Sequence, residues 1–260
     1  MQTELDPPTA EQLKIAFTHV PQLTALDAAN LGRDSIGILS RGFDEAQALA
    51  MQAALADQGV ATEVVDEASL AELPPPQKLA KVEFTPEALR IDNLMGRIIP
   101  VAWEDLLLIA AGRAKITEFQ TTLVENLLVK LDGEITGVKL SSRTREAQNE
   151  HLLLEIITRD AALRFHTVAD NPETALLFLC LGERRTRIPA TDICLFVQEL
   201  AKFAPKAVLN HGAFFMRENN DASYFYPSKG AFYREITWLL WMLATGRAGN
   251  RAETTEGTAG

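Results

Sequence analysis

Three consecutive prolines, Pro74–Pro76, constrain this chain more than any other feature. Proline fixes φ and lacks an amide proton, so such a run continues neither a helix nor a central strand and favours extended polyproline backbone. Within SLAELPPPQKLAK the run marks a boundary, and the pattern of the sequence changes across it. Before it, apolar residues recur at helical spacing. After it, short β-branched runs alternate with turn signals.

On the N-terminal side, residues 1–11 form a polar leader. LKIAFTHV reads as a short strand or the first turns of a helix. TALDAANLGRDS reads as a helix with Thr24 as N-cap and Leu23, Leu26 and Leu31 on one face. IGILS, Ile36 to Ser40, has the pattern of a strand. Asp44 is placed to cap a helix over EAQALAMQAALADQ, where Ala48, Met51 and Leu55, and also Ala46, Leu49 and Ala53, fall at helical spacing. Gly59 stops that helix as a C′ residue, and ATEVVDE follows as a strand. Residues 12–70 thus read as a small α/β module and residues 71–78 as a proline-rich linker.

The helix-Gly-strand segment DEAQALAMQAALADQGVATEVV resembles the C-terminal domain of the bacterial ribosomal stalk protein and, more loosely, the Clp protease adaptor of the same topology. The likeness spans residues 12–66 and implies a fold. The stalk domain touches translation GTPases through a lysine-rich helix, and the matching LTALDAANLGRDS has no lysine, so no binding residues carry over.

Beyond the prolines, VEF, ALRID and IIPVAW read as three successive antiparallel strands, turning at Thr85-Pro86-Glu87 and at Asn93 to Gly96. EDLLLIAAGRAKITEFQ continues as a longer strand or a pair. A hairpin leading to a tryptophan strand just before an acidic-hydrophobic turn, carried here by Trp103, resembles small bacterial pleckstrin-homology-like domains over residues 79–120. Asp132-Gly133 marks a turn, and SSRTREAQNE reads as an exposed polar loop. HLLLEIITRD and ALRFHTV form a strand pair about Asp160, ETALLFLCL reads as a buried strand, and GERRTRIP as a charged turn. A helix over 191–204, capped by Thr191 or Asp192, aligns Ile193, Phe196, Val197, Leu200 and Phe203, and Pro205 ends it. A second helix over 228–245 starts at Ser228 and turns Phe232, Ile236, Leu239, Leu240 and Leu243 inward. The tail, 246–260, is small and polar and reads as disordered. The fold class is α+β: a small α/β N-terminal module, then an antiparallel β-rich, pleckstrin-like module over 79–245 closed by C-terminal helices.

The chemistry is sparse. The net charge of −10 opposes binding to a phosphate backbone or an acidic membrane surface. The most hydrophobic helix candidate, Ile236 to Ala244, is far shorter than the ~20 residues a membrane span requires. The acidic start MQTELDPPTAEQ is neither a signal nor a transit peptide, which points to the cytoplasm. His19, His151, His166 and His211 form no metal-ligand spacing, and Cys180 and Cys194 sit in apolar runs without a CxxC. A disulfide between those two stays open. No GxSxG, Walker or GxGxxG pattern occurs, and PSKG, with Ser228 and Lys229, holds only a fragment of a phosphate loop. The expectation is therefore no catalytic residue, no metal and no cofactor.

Two features retain functional interest. Arg184, Arg185 and Arg187 form a basic patch at a turn, a candidate contact for an anion or a partner. The aromatic group from Phe214 to Trp241 forms either a core or a docking face. The primary expectation is a non-enzymatic intracellular binding or scaffold protein with a protein partner, no nucleic acid and no membrane span. One alternative is an enzyme whose site gathers Arg184, Arg187, His166 and Glu155. The other is a subunit of a complex docking through Trp238 and Trp241. Oligomeric state leaves no mark in the sequence.

Overall fold

The structure, a computed structural model, describes residues 8–18, 20, 35–79, 81–92, 96–129, 135–159, 162–168, 177–219 and 221–247. The chain is α+β and forms two compact units, Met1–Ala114 with His151–Gly260, and Lys115–Glu150. The second unit consists of parts of two strands of 24 residues each, β5 and β6, described below.

Helices α1 (Ala10–Thr18) and α2 (Glu45–Asp57) share a small core. Leu13, Ala16, Phe17 and Val20 meet Leu39, Met51, Ala54 and Leu55 there. LKIAFTHV therefore resolves in favour of helix. Asp44 caps α2 in a reciprocal box: its carboxylate accepts the Gln47 amide at 2.8 Å, and the Gln47 side chain accepts the Asp44 amide. Gly59 follows with φ +74°, as the C′ position requires. Only one of the two apolar stripes expected on α2 is buried. Met51 and Leu55 face the core, while Leu49 is 49% exposed.

Neither strand expected in this module forms. Ile36 and Ile38 make an isolated bridge around Gly37, a turn too tight to extend into a ladder. ATEVVDE contributes a single bridging residue, Thr62, and then enters a 3-10 turn over Glu67–Ser69 capped by Asp66. The expected helix TALDAANLGRDS lies outside the described residues, as do the Asp132-Gly133 turn, the Asp160 turn and the tail from residue 248.

The stretch after the prolines forms β1 (Gln77–Lys78), β2 (Lys81–Phe84), β3 (Ala88–Asp92) and β4 (Ile98–Ala102). Strands β2, β3 and β4 make the expected antiparallel three-stranded sheet, with Val82 opposite Ile91 and Leu89 opposite Val101, while residues 93–95 of the second expected turn lie outside the described residues. The Trp103 indole donates to the Thr85 carbonyl at 2.9 Å, closing the turn between β2 and β3.

The larger sheet contains β5 (Leu106–Val129), β6 (Ile135–Thr158), β7 (Arg164–Val168), β8 (Val208–Leu209) and β9 (Phe225–Tyr226). Its order is β1-β7-β6-β5-β8, with β9 also on β5. The β6–β7 pair is antiparallel as expected, but β1 on β7 and both β8 and β9 on β5 are parallel. The sheet is thus mixed, because segments distant in sequence fill its edges. SSRTREAQNE is part of β6 rather than a loop: the ladder continues through the polar run. ETALLFLCL is not a strand either. From Leu177 it winds as a 3-10 helix to Arg184, kinked at Gly182, and so buries only one side, with Phe178 and Leu181 inward and Leu179 exposed.

Helix α3 (Pro189–Phe203) lays Ile193, Phe196, Val197 and Leu200 into the main core. Phe203 stacks on Trp103 with centroids 4.7 Å apart. Helix α4 (His211–Asn219) was not anticipated in NHGAFFMREN. Helix α5 (Lys229–Ala244) begins at Ser228, whose hydroxyl accepts the Ala231 amide at 3.0 Å. It is buried on nearly every side, with Phe232, Ile236, Leu239 and Leu240 joined by Glu235, Trp238 and Trp241.

Candidate functional site

A cavity of about 610 Å³ opens in the N-terminal module. That volume lies within the usual range of small-ligand pockets. Three segments build it. One side of α2 contributes Met51 and Leu55. The stretch from Ile38 to Phe43 forms a second wall, and Thr62 to Leu70 a third. The cap at Asp44 sets where α2 starts, and the φ of Gly59 turns the chain back so that the third wall faces the helix.

Two hydroxyls in the lining, Ser40 Oγ and Thr62 Oγ1, are buried and have no hydrogen-bond partner among the described residues. Burying a hydroxyl without a partner costs roughly 1–3 kcal/mol. Four carboxylates, Glu45, Glu63, Asp66 and Glu67, line the site against a single guanidinium, Arg41. Glu63 is held by Arg247, just past α5. Nothing in the sequence reading pointed here. The signal was the polar segment after Gly59, which reads as a strand but has no ladder to join.

The alternative catalytic set is partly assembled. Glu155 on β6 and His166 on β7 are register partners, and His166 Nδ1 stands 2.8 Å from Glu155 Oε1 without hydrogen-bond alignment. Arg164, not Arg184 or Arg187, supplies the guanidinium. It grips Glu155 through Nε at 2.8 Å and Nη2 at 3.0 Å. The Tyr233 hydroxyl donates to the same carboxylate at 2.5 Å. Burial works to raise the Glu155 pKa, but His166, Arg164 and Tyr233 together outweigh it and hold the carboxyl below its ordinary value. The phenol of Tyr233 is pushed up, first by burial and then by Glu155. Glu155 is fully buried, and its bonds to Arg164 and Tyr233 fasten α5 to the sheet.

A second carboxylate repeats the pattern. Glu235 on α5 is fully buried, takes the His211 backbone amide at 2.9 Å, contacts the His211 ring and accepts from the Tyr226 hydroxyl. The Asn210 side-chain amide donates to the Tyr226 oxygen at 2.8 Å, while its carbonyl accepts the Ala111 and Ala213 amides. Burial, then the Glu235 charge, drives the Tyr226 phenol well above its ordinary pKa. Sequence reading missed Glu235 because it sits within an apolar helix, where a lone carboxylate resembles a surface residue.

Two of the three arginines of the expected patch lie against the chain's own acids. Arg184 pairs with Glu199 at 2.8 Å, and Arg185 lies 3.8 Å from Asp192. Arg187 is exposed and adopts φ +66°, held by Asp192, which accepts the Thr186 amide at 2.6 Å and the Arg187 amide at 3.1 Å. Asp192 thus orders the turn before α3, whose N-cap is Ile188 with Pro189 following, rather than capping from Thr191 or Asp192. The aromatic group divides. Tyr226, Phe232, Trp238 and Trp241 are buried, while Phe214 and Phe225 are exposed. Cys180 and Cys194 are free thiols, and burial pushes the first up to about 12 and the second to about 11. Among the described residues no group of side chains has metal-site geometry, and no helix is long and apolar enough to cross a membrane. Compared with known proteins, the chain matches no family model, no curated sequence and no solved structure.

Proposed function

We propose that this chain is a non-catalytic binding protein whose ligand seat is the cavity walled by α2 and residues 38–43 and 62–70. The observation that carries this reading is the cavity of about 610 Å³ itself, where apolar side chains of α2 stand beside polar residues of the other two segments. The structural bonds of Glu155 and Glu235 support the same reading, since both carboxylates already tie helices and strands together. Under it, residues 79–120 form a pleckstrin-homology-like module that acts as scaffold.

The test is a neutral apolar dye, Nile red, titrated into the full chain and into Ala48→Trp. Ala48 lines the cavity and is half-buried, so the indole fills the space without entering the module core. The reading expects dye fluorescence to rise with the native chain and to be largely lost in the variant, with circular dichroism unchanged. Equal dye binding by both proteins would remove the cavity as the seat.

A further inference from the structure

We infer that this chain pairs with a second copy of itself along the outer edge of β5, over Lys115 to Glu125; the inference stands apart from the cavity. The neighbours of β5 on that side end early. Strand β8 covers Leu108 and Ile109, and β9 covers Arg113 and Ala114. On the far side of the pair, β7 meets β6 only from Leu153 onward. Yet β5 runs on to Val129, and β6 begins at Ile135. The unit Lys115–Glu150 is therefore a two-stranded ribbon, and among the described residues no third strand joins either edge of it. Such a ribbon is marginal in water by itself, and an open edge presents a row of amides and carbonyls to any strand that fits. The direction of those groups on β5 follows from its earlier partners. The Ala111 amide donates to the Asn210 side chain, the Ile109 carbonyl accepts the Asn210 amide, and the Arg113 amide donates to the Tyr224 carbonyl. Odd-numbered residues thus turn their backbone groups outward, and even-numbered ones turn theirs towards β6.

The charges along the two strands choose the partner and the edge. Directly opposed residues of an antiparallel pair share a face, so across a two-fold axis odd-numbered residues meet odd ones and even meet even. On β5, an axis at Gln120 sets Lys115 opposite Glu125 of the second copy and Ile116 opposite Val124. Thr117 then meets Leu123, Phe119 meets Thr121, and Glu118 meets Thr122, so no like charges are opposed. The odd pairs are the hydrogen-bonded ones, as the outward amides require. The β6 edge excludes the same arrangement. Its bases, Lys139, Arg143 and Arg145, are all odd, while its acids, Glu146 and Glu150, are both even. No symmetric register there opposes a base to an acid, and every axis from Ser141 to Arg145 sets base against base. Opposite charges across a pair stabilise it and like charges destabilise it. One edge therefore accepts a copy and the other refuses one, which closes the assembly at a dimer.

Sedimentation velocity of the full chain across a concentration series tests this. The native protein should be a dimer that dissociates on dilution. Lys115→Glu and Glu125→Lys should each weaken the dimer about tenfold, because symmetry places the altered pair twice. The two substitutions together should restore it. Thr121→Pro removes an outward amide and spares those that meet β6, so it should give a monomer with unchanged circular dichroism. A native chain that stays monomeric up to its solubility limit overturns the inference. A dimer that survives Thr121→Pro and both single reversals forms on another surface, and the inference falls. Association beyond the dimer marks an open, unsymmetric pairing and overturns it too. If Thr121→Pro fails to fold, the charge reversals decide alone: recovery of the dimer in the double variant supports the register, and no recovery removes it.

Discussion

Gly37 and Trp238 meet so closely that a Cβ on the glycine would lie 2.4 Å from Cγ of the indole. The glycine also holds φ +69°, where a side chain is strained whatever the space. The Ile36–Ile38 bridge therefore stays tight against α5. Gly37→Ala combines overpacking with a left-handed backbone, and unfolding by urea should show a loss of about 3 kcal/mol or more. Gly59→Ala shares the φ but faces open space, and should cost only about 1 kcal/mol. Equal losses at the two positions would show that the indole contact contributes nothing.

Tyr226→Phe removes one oxygen that serves three partners: it donates to Glu235 and accepts from Asn210 and Gly212. All sit in the buried interior. Leaving such groups unmatched should cost about 2 kcal/mol in chemical unfolding, although the ring itself is unchanged.

The acid limb of stability should belong largely to Glu155. Its folded pKa lies below the ordinary value of 4.5, so the unfolded chain binds the proton more readily. Its contribution is complete above that value and is lost as pH falls through the lower folded one. Glu155→Gln should flatten the decline of melting temperature between about pH 5 and 3. Glu155→Ala, which strands the Arg164 guanidinium, should cost about 3–5 kcal/mol at neutral pH. The alkaline limb has the opposite sign. Burial and the Glu235 charge raise Tyr224 to about 12, so its contribution is complete below 10 and fades as pH climbs towards 12.

Asp192→Ala should unravel the turn that carries the arginines, because its carboxylate holds both the Thr186 and Arg187 amides. A loss of about 2 kcal/mol is expected, with proteolytic nicking near Arg187 as the local readout. Arg184→Ala should change stability by less than about 1 kcal/mol, since its pair with Glu199 is solvent-screened.

Neither cysteine should react readily with iodoacetamide at neutral pH in the folded protein. Burial lifts Cys180 to about 12 and Cys194 to about 11, so almost no thiolate is present. Both should label promptly in denaturant, and mass spectrometry distinguishes the two states.

Local signals were legible wherever a few neighbouring residues decide the outcome. Asp44, Gly59 and Ser228 marked helix ends because their chemistry is complete within one turn. The β2, β3 and β4 meander was legible for the same reason, its strands pairing with their neighbours in sequence. The failures concern partners far along the chain. ETALLFLCL is apolar enough for a strand, yet from Leu177 it closes as a 3-10 helix that buries one side. ATEVVDE had the composition of a strand without a ladder to join. The polar SSRTREAQNE became strand because β5 runs beside β6. At the candidate site, Glu155 and His166 were named but Arg164 and Tyr233 were not. Strand register brings in the first and a helix from the far end of the chain the second. The cavity left no motif, since two isolated hydroxyls and a surplus of acids look like ordinary surface until three segments enclose them.

The parallel pairings of the larger sheet impose an order on synthesis. Gln77 cannot dock until Phe165 has left the ribosome, and β5 waits for Val208 and then Phe225 to occupy one edge. During that interval the nascent chain carries a long apolar strand with an open side, the form most prone to pair with a neighbouring chain. Helix α5 supplies Tyr233 and Glu235, so the clasps on Glu155 and Tyr226 close only after those residues have left the ribosome. Truncation shortly before α5 should thus produce an aggregating chain rather than a smaller folded one.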